Sequence, residues 1–129
     1  MNKAILKSVD ISLNEDRVLL IKFKDGSDVD IEETKKIMSL SAEMIGAKPF
    51  TVLIDAMDIF ASVDHKSRKY MAEHEVNNFN MAQAMVVNNM PVRIIANFYL
   101  KFYKHAYPMK VFSDIEVARK WLLQQANSY

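Results

Sequence analysis

The run Phe50 to Ile54, FTVLI, narrows the fold more than any other feature of the sequence. It stands between Lys48-Pro49 and Asp55, with no polar alternation inside it. A strand that is apolar on both faces must be covered on both faces, which is the situation of a central strand in a parallel sheet. Parallel neighbours cannot be joined by a tight turn; they need crossovers of a dozen or more residues, usually helices. The rest of the chain must therefore supply helices on either side of this strand.

It does so in a regular order. Val9 to Leu13 (VDISL) alternates apolar and polar residues, as a half-buried strand does. Asn14, Glu15 and Asp16 supply turn chemistry, and Arg17 to Phe23 (RVLLIKF) is a second, more apolar strand. The short link predicts an antiparallel hairpin. Lys24-Asp25-Gly26-Ser27 closes it. Asp30 with Glu33 reads as a capping box at the start of a helix carrying Ile31, Ile37, Met38, Met44 and Ile45 at helical spacing. Gly46 is its natural stop, and Lys48-Pro49 prevents continuation.

After Asp55, a loop from Ala56 to Val63 leads to a helix capped by Asp64 and running through Tyr70 and Met71 to about Asn77. Ala82 to Val87 is the next strand. Asn88-Asn89-Met90-Pro91 opens a helix that passes Ile95 and Phe98 and ends near Lys104, with Pro91 suited to the first turn. Met109 to Phe112 is a short strand. Ser113 with Glu116 reads as a second capping box before a helix with the apolar stripe Val117, Ala118, Trp121 and Leu122. The order ββαβαβαβα predicts an α/β fold. It would have a mixed, mostly parallel sheet of about five strands, about four helices, and the first strand antiparallel at an edge. Residues 1–129 form one domain on this reading.

Composition removes several function classes. The chain has 129 residues, 17 basic against 16 acidic, for a net charge of +1. That balance gives no field to gather nucleic acid or an anionic membrane. There is no cysteine, so disulfides, thiolate metal sites and cysteine nucleophiles are excluded. Two glycines leave no room for a glycine-rich phosphate loop. The histidines His65, His74 and His105 do not stand at metal-ligand spacing. No serine is flanked by the glycines of a nucleophile elbow. The opening MNKAILKSVDISL lacks the apolar core and cleavage site of a secretory signal, and no apolar run approaches a membrane span, so the expected location is the cytoplasm. Nine methionines fit adaptable core filling, or an adaptable apolar pocket.

Three stretches carry a family resemblance: Lys48 to Asp55 (KPFTVLID), Met90 to Tyr103 (MPVRIIANFYLKFY) and Tyr107 to Leu122 (YPMKVFSDIEVARKWL). In these, from about Leu20 onward, the chain resembles the STAS fold of anti-sigma-factor antagonists, the SpoIIAA-like domains. It is more similar still to small uncharacterised bacterial proteins classed as STAS-like or CRAL-TRIO-like. The resemblance implies a SpoIIAA-like sheet and no assigned chemistry. Regulatory STAS proteins carry a phosphorylatable serine in an Asp-Ser-Ser-Gly-like turn at a helix start. Here Asp64 matches the acid, His65 and Lys66 stand at the serine positions, and no glycine follows. A switch of that type is not implied. Ser62 and Ser67 are the nearby serines open to modification, though capping and solvent-facing roles are commoner.

Two groups of residues are candidates for function. Ligands of open α/β sheets bind outside the carboxyl ends of the strands, where Asp55, Asp58, Ser62, His65, Asn88, Asn89 and Arg93 are expected. Arg93, near a helix N-terminus, suits a small phosphate or carboxylate. On the helix from Pro91, Arg93, Asn97 and Lys101 share a face that Lys104 extends. Ile94, Ile95, Phe98 and Phe102 are expected on the buried side, with Tyr99 and Tyr103 partly exposed as interface aromatics. The leading expectation is a non-enzymatic STAS-like interaction module, self-associating as a homodimer, without cofactor or metal. The alternative is a carrier of a lipid-like or anionic small molecule held between helices and sheet.

Overall fold

In the computed structural model, which describes residues 2–74, 79–103 and 105–128, the chain forms eight strands and four helices. In order these are β1 (Lys3–Ile5), β2 (Val9–Leu13), β3 (Val18–Phe23), β4 (Ser27–Val29), α1 (Ile31–Ile45), β5 (Phe50–Ala56), β6 (Ala61–Val63), α2 (His65–Glu73), β7 (Asn80–Val87), α3 (Met90–Phe102), β8 (Met109–Phe112) and α4 (Ile115–Asn127). Six strands make one sheet in the order β1-β2-β3-β5-β7-β8, and β4 pairs with β6 in a separate small ribbon. β1–β2 and β2–β3 are antiparallel; β3–β5, β5–β7 and β7–β8 are parallel.

The apolar run behaves as its composition demands. In β5, Val52 and Leu53 are both buried, on opposite faces of the sheet. Leu53 lies level with Leu20 of β3 and Ala84 of β7. On one face, Val52 packs with Val9, Ile11 and Leu19 beneath Ile37, Met44 and Ile45 of α1. Further along that face Ile54 and Met85 meet Met71 of α2 and Ala96 and Tyr99 of α3. On the other face Leu53, Ala82, Ala84 and Val86 are covered by Ala118, Trp121 and Leu122 of α4. The small side chains of β7 let α4 sit close.

The main sheet has six strands rather than about five. β1 pairs outside β2, so Val9–Leu13 is not the edge. β1, β4 and β6 are three residues each, too short for a periodic pattern to show. β6 lies within the stretch read as loop.

The caps explain where the helices start and stop. Asp30 accepts the N–H of Glu33 at 2.9 Å. The box expected there does not close, because Glu33 turns to Ser8, taking its N–H and its hydroxyl at 2.7 Å each. The cap of α4 is Asp114, not Ser113. Its Oδ1 accepts from Glu116 N at 2.8 Å and Val117 N at 3.1 Å, the geometry open only to the residue just before the first helical one. α1 ends on Gly46, at φ 62° and ψ −150°, and has no basic residue in its last turn. Arg17 of the β2–β3 turn takes that place, donating to the carbonyls of Ile45 (2.6 Å), Pro49 (3.1 Å) and Lys48 (3.2 Å). α2 ends at Glu73, short of the expected Asn77; residues 75–78 lie outside the described residues.

Candidate functional site

Most of the polar residues expected at the carboxyl ends of the strands are engaged in hydrogen bonds within the protein. Asp55 Oδ1 accepts the N–H of Met57 at 3.0 Å. The loop after β5 turns through Asp58, at φ 59°. Asp58 N–H donates to Asn88 Oδ1 at 2.9 Å, and Asn88 Nδ2 donates back to Asp58 Oδ1 at 2.6 Å. Asn89 caps α3 through Val92 N (3.0 Å) and donates to the carbonyl of Ile59 (2.6 Å). Ser62 Oγ donates to Asp28, joining β6 to β4. His65 Nδ1 lies 3.3 Å from the hydroxyl of Tyr103. Asp58, Asn88 and Asn89 thus stitch the loops after β5 and β7 together, while Asp55 braces the first of them. Ser62 and His65 serve other joints, and Arg93 is half-buried on α3.

The two candidate serines part company. Ser62 is exposed, whereas Ser67 is fully buried beneath α2, out of reach of a modifying enzyme while the helix is folded. Asp64 caps α2, accepting Ser67 N–H at 2.7 Å. The Ser67 hydroxyl and N–H beside it, with the charges of Lys66 and Arg68, hold the Asp64 carboxyl below its ordinary range against a small cost of burial.

α3 is turned relative to the sequence expectation. Tyr99, expected at the surface, is only 7 % exposed, while Met90, Ile94, Phe98 and Phe102 are 67, 60, 43 and 62 % exposed. The helix is apolar around most of its circumference, so apolarity alone could not choose the buried side. Small Ala96 lets the side bearing Ala96 and Tyr99 close onto Met85 of β7, with the Tyr99 ring 4.8 Å from His105. The outward stripe recurs every fourth residue, and the Phe98 and Phe102 rings stack at 4.4 Å. Asn97 and Lys101 are exposed beside it, Tyr103 is half-buried, and Lys104 lies outside the described residues. Phe60, 61 % exposed, follows the Ile59 carbonyl that Asn89 holds at the start of α3. α3 bears Arg93 and Lys101 and no acidic residue. Lys101 sits over the Phe102 ring at 5.7 Å and Arg68 over Phe98 at 6.0 Å.

Beneath the helices runs a cleft. Two cavities of about 130 and 220 Å³ share Ile21, Ile37, Ile54, Met71, Gln83 and Tyr99 as lining. The first opens toward Ala56, Val63, Val87 and Val92, at the carboxyl ends of the strands; the second reaches Ser41, Phe50, Asn80 and Tyr107 at the other end. The cause is α2, HKSRKYMAE, which sends one large apolar residue, Met71, into the space between α1 and α3. Arg68 lines the first cavity; its Nη1 donates to the Val63 carbonyl at 2.6 Å, and its buried Nε has no partner among the described residues. No group of histidine and acidic side chains suited to a metal ion occurs among the described residues, and no described helix is long and apolar enough to cross a membrane.

A family model described as "Domain of unknown function (DUF7793)" matches residues 11–126. The chain belongs to the DUF7793 family. This DUF7793 domain is similar in structure to an uncharacterised protein of the DUF3478 family from Shewanella loihica PV-4, described as having a SpoIIAA-like fold. The two share 18% identity over 94% of each chain, with a TM-score of 0.60. At that identity the likeness shows the fold alone, and the fold is SpoIIAA-like, as the three sequence stretches implied. No curated protein matches the DUF7793 chain.

Proposed function

We propose that the chain is a non-enzymatic interaction module that docks a protein partner through the outer face of α3, and that the partner presents an apolar surface rimmed by acidic side chains. The outward stripe Met90, Ile94, Phe98 and Phe102 carries this reading. Large apolar residues scattered singly on a surface need no explanation, but a contiguous ridge marks an interaction site. Aromatic residues and arginine, found together here, are the residues that dominate interface energies.

Charge selects the kind of partner. Arg93 and Lys101 lie beside the stripe, Arg68 backs it, and α3 has no acid. In a two-fold dimer the same patch meets itself, which sets like charges together at a cost. An acidic partner suits the face better than a second copy.

The test uses two synthetic amphipathic peptides with one apolar pattern, one flanked by glutamates and the other by lysines, titrated by fluorescence anisotropy. The glutamate peptide is expected to bind saturably, the lysine peptide not, and Phe98→Asp with Phe102→Asp to abolish binding. Equal binding of both peptides, or binding that survives the double substitution, overturns the reading. A dimer seen by light scattering and lost in the double variant assigns the face to self-association instead. Binding to anionic vesicles alone assigns it to a lipid surface.

A further inference from the structure

We infer that the cleft between the sheet and helices α1 to α3 is a binding site for a single-chain carboxylate with an unbranched apolar tail, its head held by Arg68. Three observations meet there. The first cavity is walled by Ile21, Ile54, Val87, Val92 and other apolar side chains, and it sits at the carboxyl ends of the parallel strands, where ligands of open α/β sheets bind. At about 130 Å³ it is comparable with an apolar cavity of roughly 150 Å³ that stays dry and admits a benzene-sized guest. The second cavity, about 220 Å³, continues it along the strands, so the space is long and narrow, which suits one chain better than a fused ring system.

The charge is the second observation. Arg68 lines an apolar cavity and has no ion-pair partner among the described residues. Asp64, the acid whose titration its charge affects, is occupied by Ser67. Nη1 is spent on Val63, while Nε is buried and unpartnered. A buried donor without a partner is costly, and a guanidinium edge matches a carboxylate in geometry and charge.

The third observation is the finite length of the apolar wall. Gln83 stands midway, 3.4 Å from the Tyr107 hydroxyl, and beyond it the second cavity is again mainly apolar, with Met38, Ile45, Phe50 and Val52, interrupted by Asn80 and by Ser41, whose buried hydroxyl has no partner among the described residues. The tail of a bound acid therefore has a favourable length. A methylene gains by burial until the second cavity is filled, and gains little once the tail outgrows it.

The probes are n-alkyl carboxylates of increasing length and the matched n-alkanols, below their aggregation concentrations, titrated by calorimetry at neutral pH. The acids are expected to bind at one saturable site. Kd should tighten about fourfold per methylene, equivalent to ~0.8 kcal/mol, and then level off. Alkanols should bind more weakly. Arg68→Gln is expected to remove the preference for the acid and leave alkanol binding in place, which separates loss of the head contact from loss of the fold. Val92→Phe, enlarging a half-buried side chain that lines the first cavity, should weaken both with circular dichroism unchanged. No saturable binding at any length, equal affinity of acid and alkanol for the unaltered chain, or a preference that survives Arg68→Gln would each overturn the assignment.

Discussion

The Arg68 guanidinium lies 6.0 Å from the centre of the Phe98 ring, so the cation that lines the inner cleft also backs the outer stripe of α3. A cation over an aromatic face is worth about 0.5–1 kcal/mol at an exposed site. Arg68→Met is expected to weaken binding of the glutamate-flanked peptide more than Lys69→Met, although both remove one charge from α2. Anisotropy titrations of the two variants check this.

Phe98 and Tyr99 are neighbours with opposite fates, and their substitutions separate inside from outside. Tyr99→Ala removes a buried ring from the joint of α3 with β7 and is expected to cost about 3–5 kcal/mol, the range for deleting a large aromatic from a core. Phe98→Ala, at a position 43 % exposed, should change stability by no more than about 1 kcal/mol. Urea unfolding of both variants decides the orientation of the helix.

The end of α1 depends on two residues far apart in sequence. Gly46 holds φ 62° and ψ −150°, a region that side-chain-bearing residues avoid, and nothing crowds the position a Cβ would take. Gly46→Ala is therefore a pure backbone test, with an expected loss of about 1–3 kcal/mol. Arg17→Met leaves the Ile45, Lys48 and Pro49 carbonyls without their charged donor and should cost about 2 kcal/mol. Unfolding midpoints measure both.

Asp64 should leave a mark on the pH dependence of stability. Its folded-state carboxyl titrates below the ordinary value of 3.8, so its contribution is fully present above that pH and is lost as pH falls through the lower folded value. The stability difference between the unaltered chain and Asp64→Asn should shrink on acidification below about pH 4. A difference that grows there would contradict the cap.

The parallel core was legible because FTVLI admits few alternatives, and three of the four helix starts, at Asp30, Asp64 and Asn89-Pro91, carry chemistry that works locally. The fourth slipped by one residue because Ser113 and Asp114 are both good caps. The three-residue strands were invisible because each pairs with a distant partner and has no period of its own. The face of α3 was misread for a different reason. Its stripe at Met90, Ile94, Phe98 and Phe102 has the regular spacing of a buried face, and only Ala96, by admitting close approach, shows which side meets the sheet. The cleft could be glimpsed in α2, where Met71 is the one large apolar residue aimed inward, but its depth follows from tertiary packing. Of the rim residues, the sequence could not show that Asp58 and Asn88 satisfy each other or that Asn89 reaches back to the Ile59 carbonyl, because those bonds join loops about 30 residues apart.

The docking face itself is tested most directly by mapping NMR amide shifts of the isotope-labelled chain as the glutamate-flanked peptide is added. The changes are expected to cluster along Met90 to Phe102 and at Phe60, with α4 and the outer edge of β1 silent. Changes centred on α4, or none on α3 at saturating peptide, would contradict it.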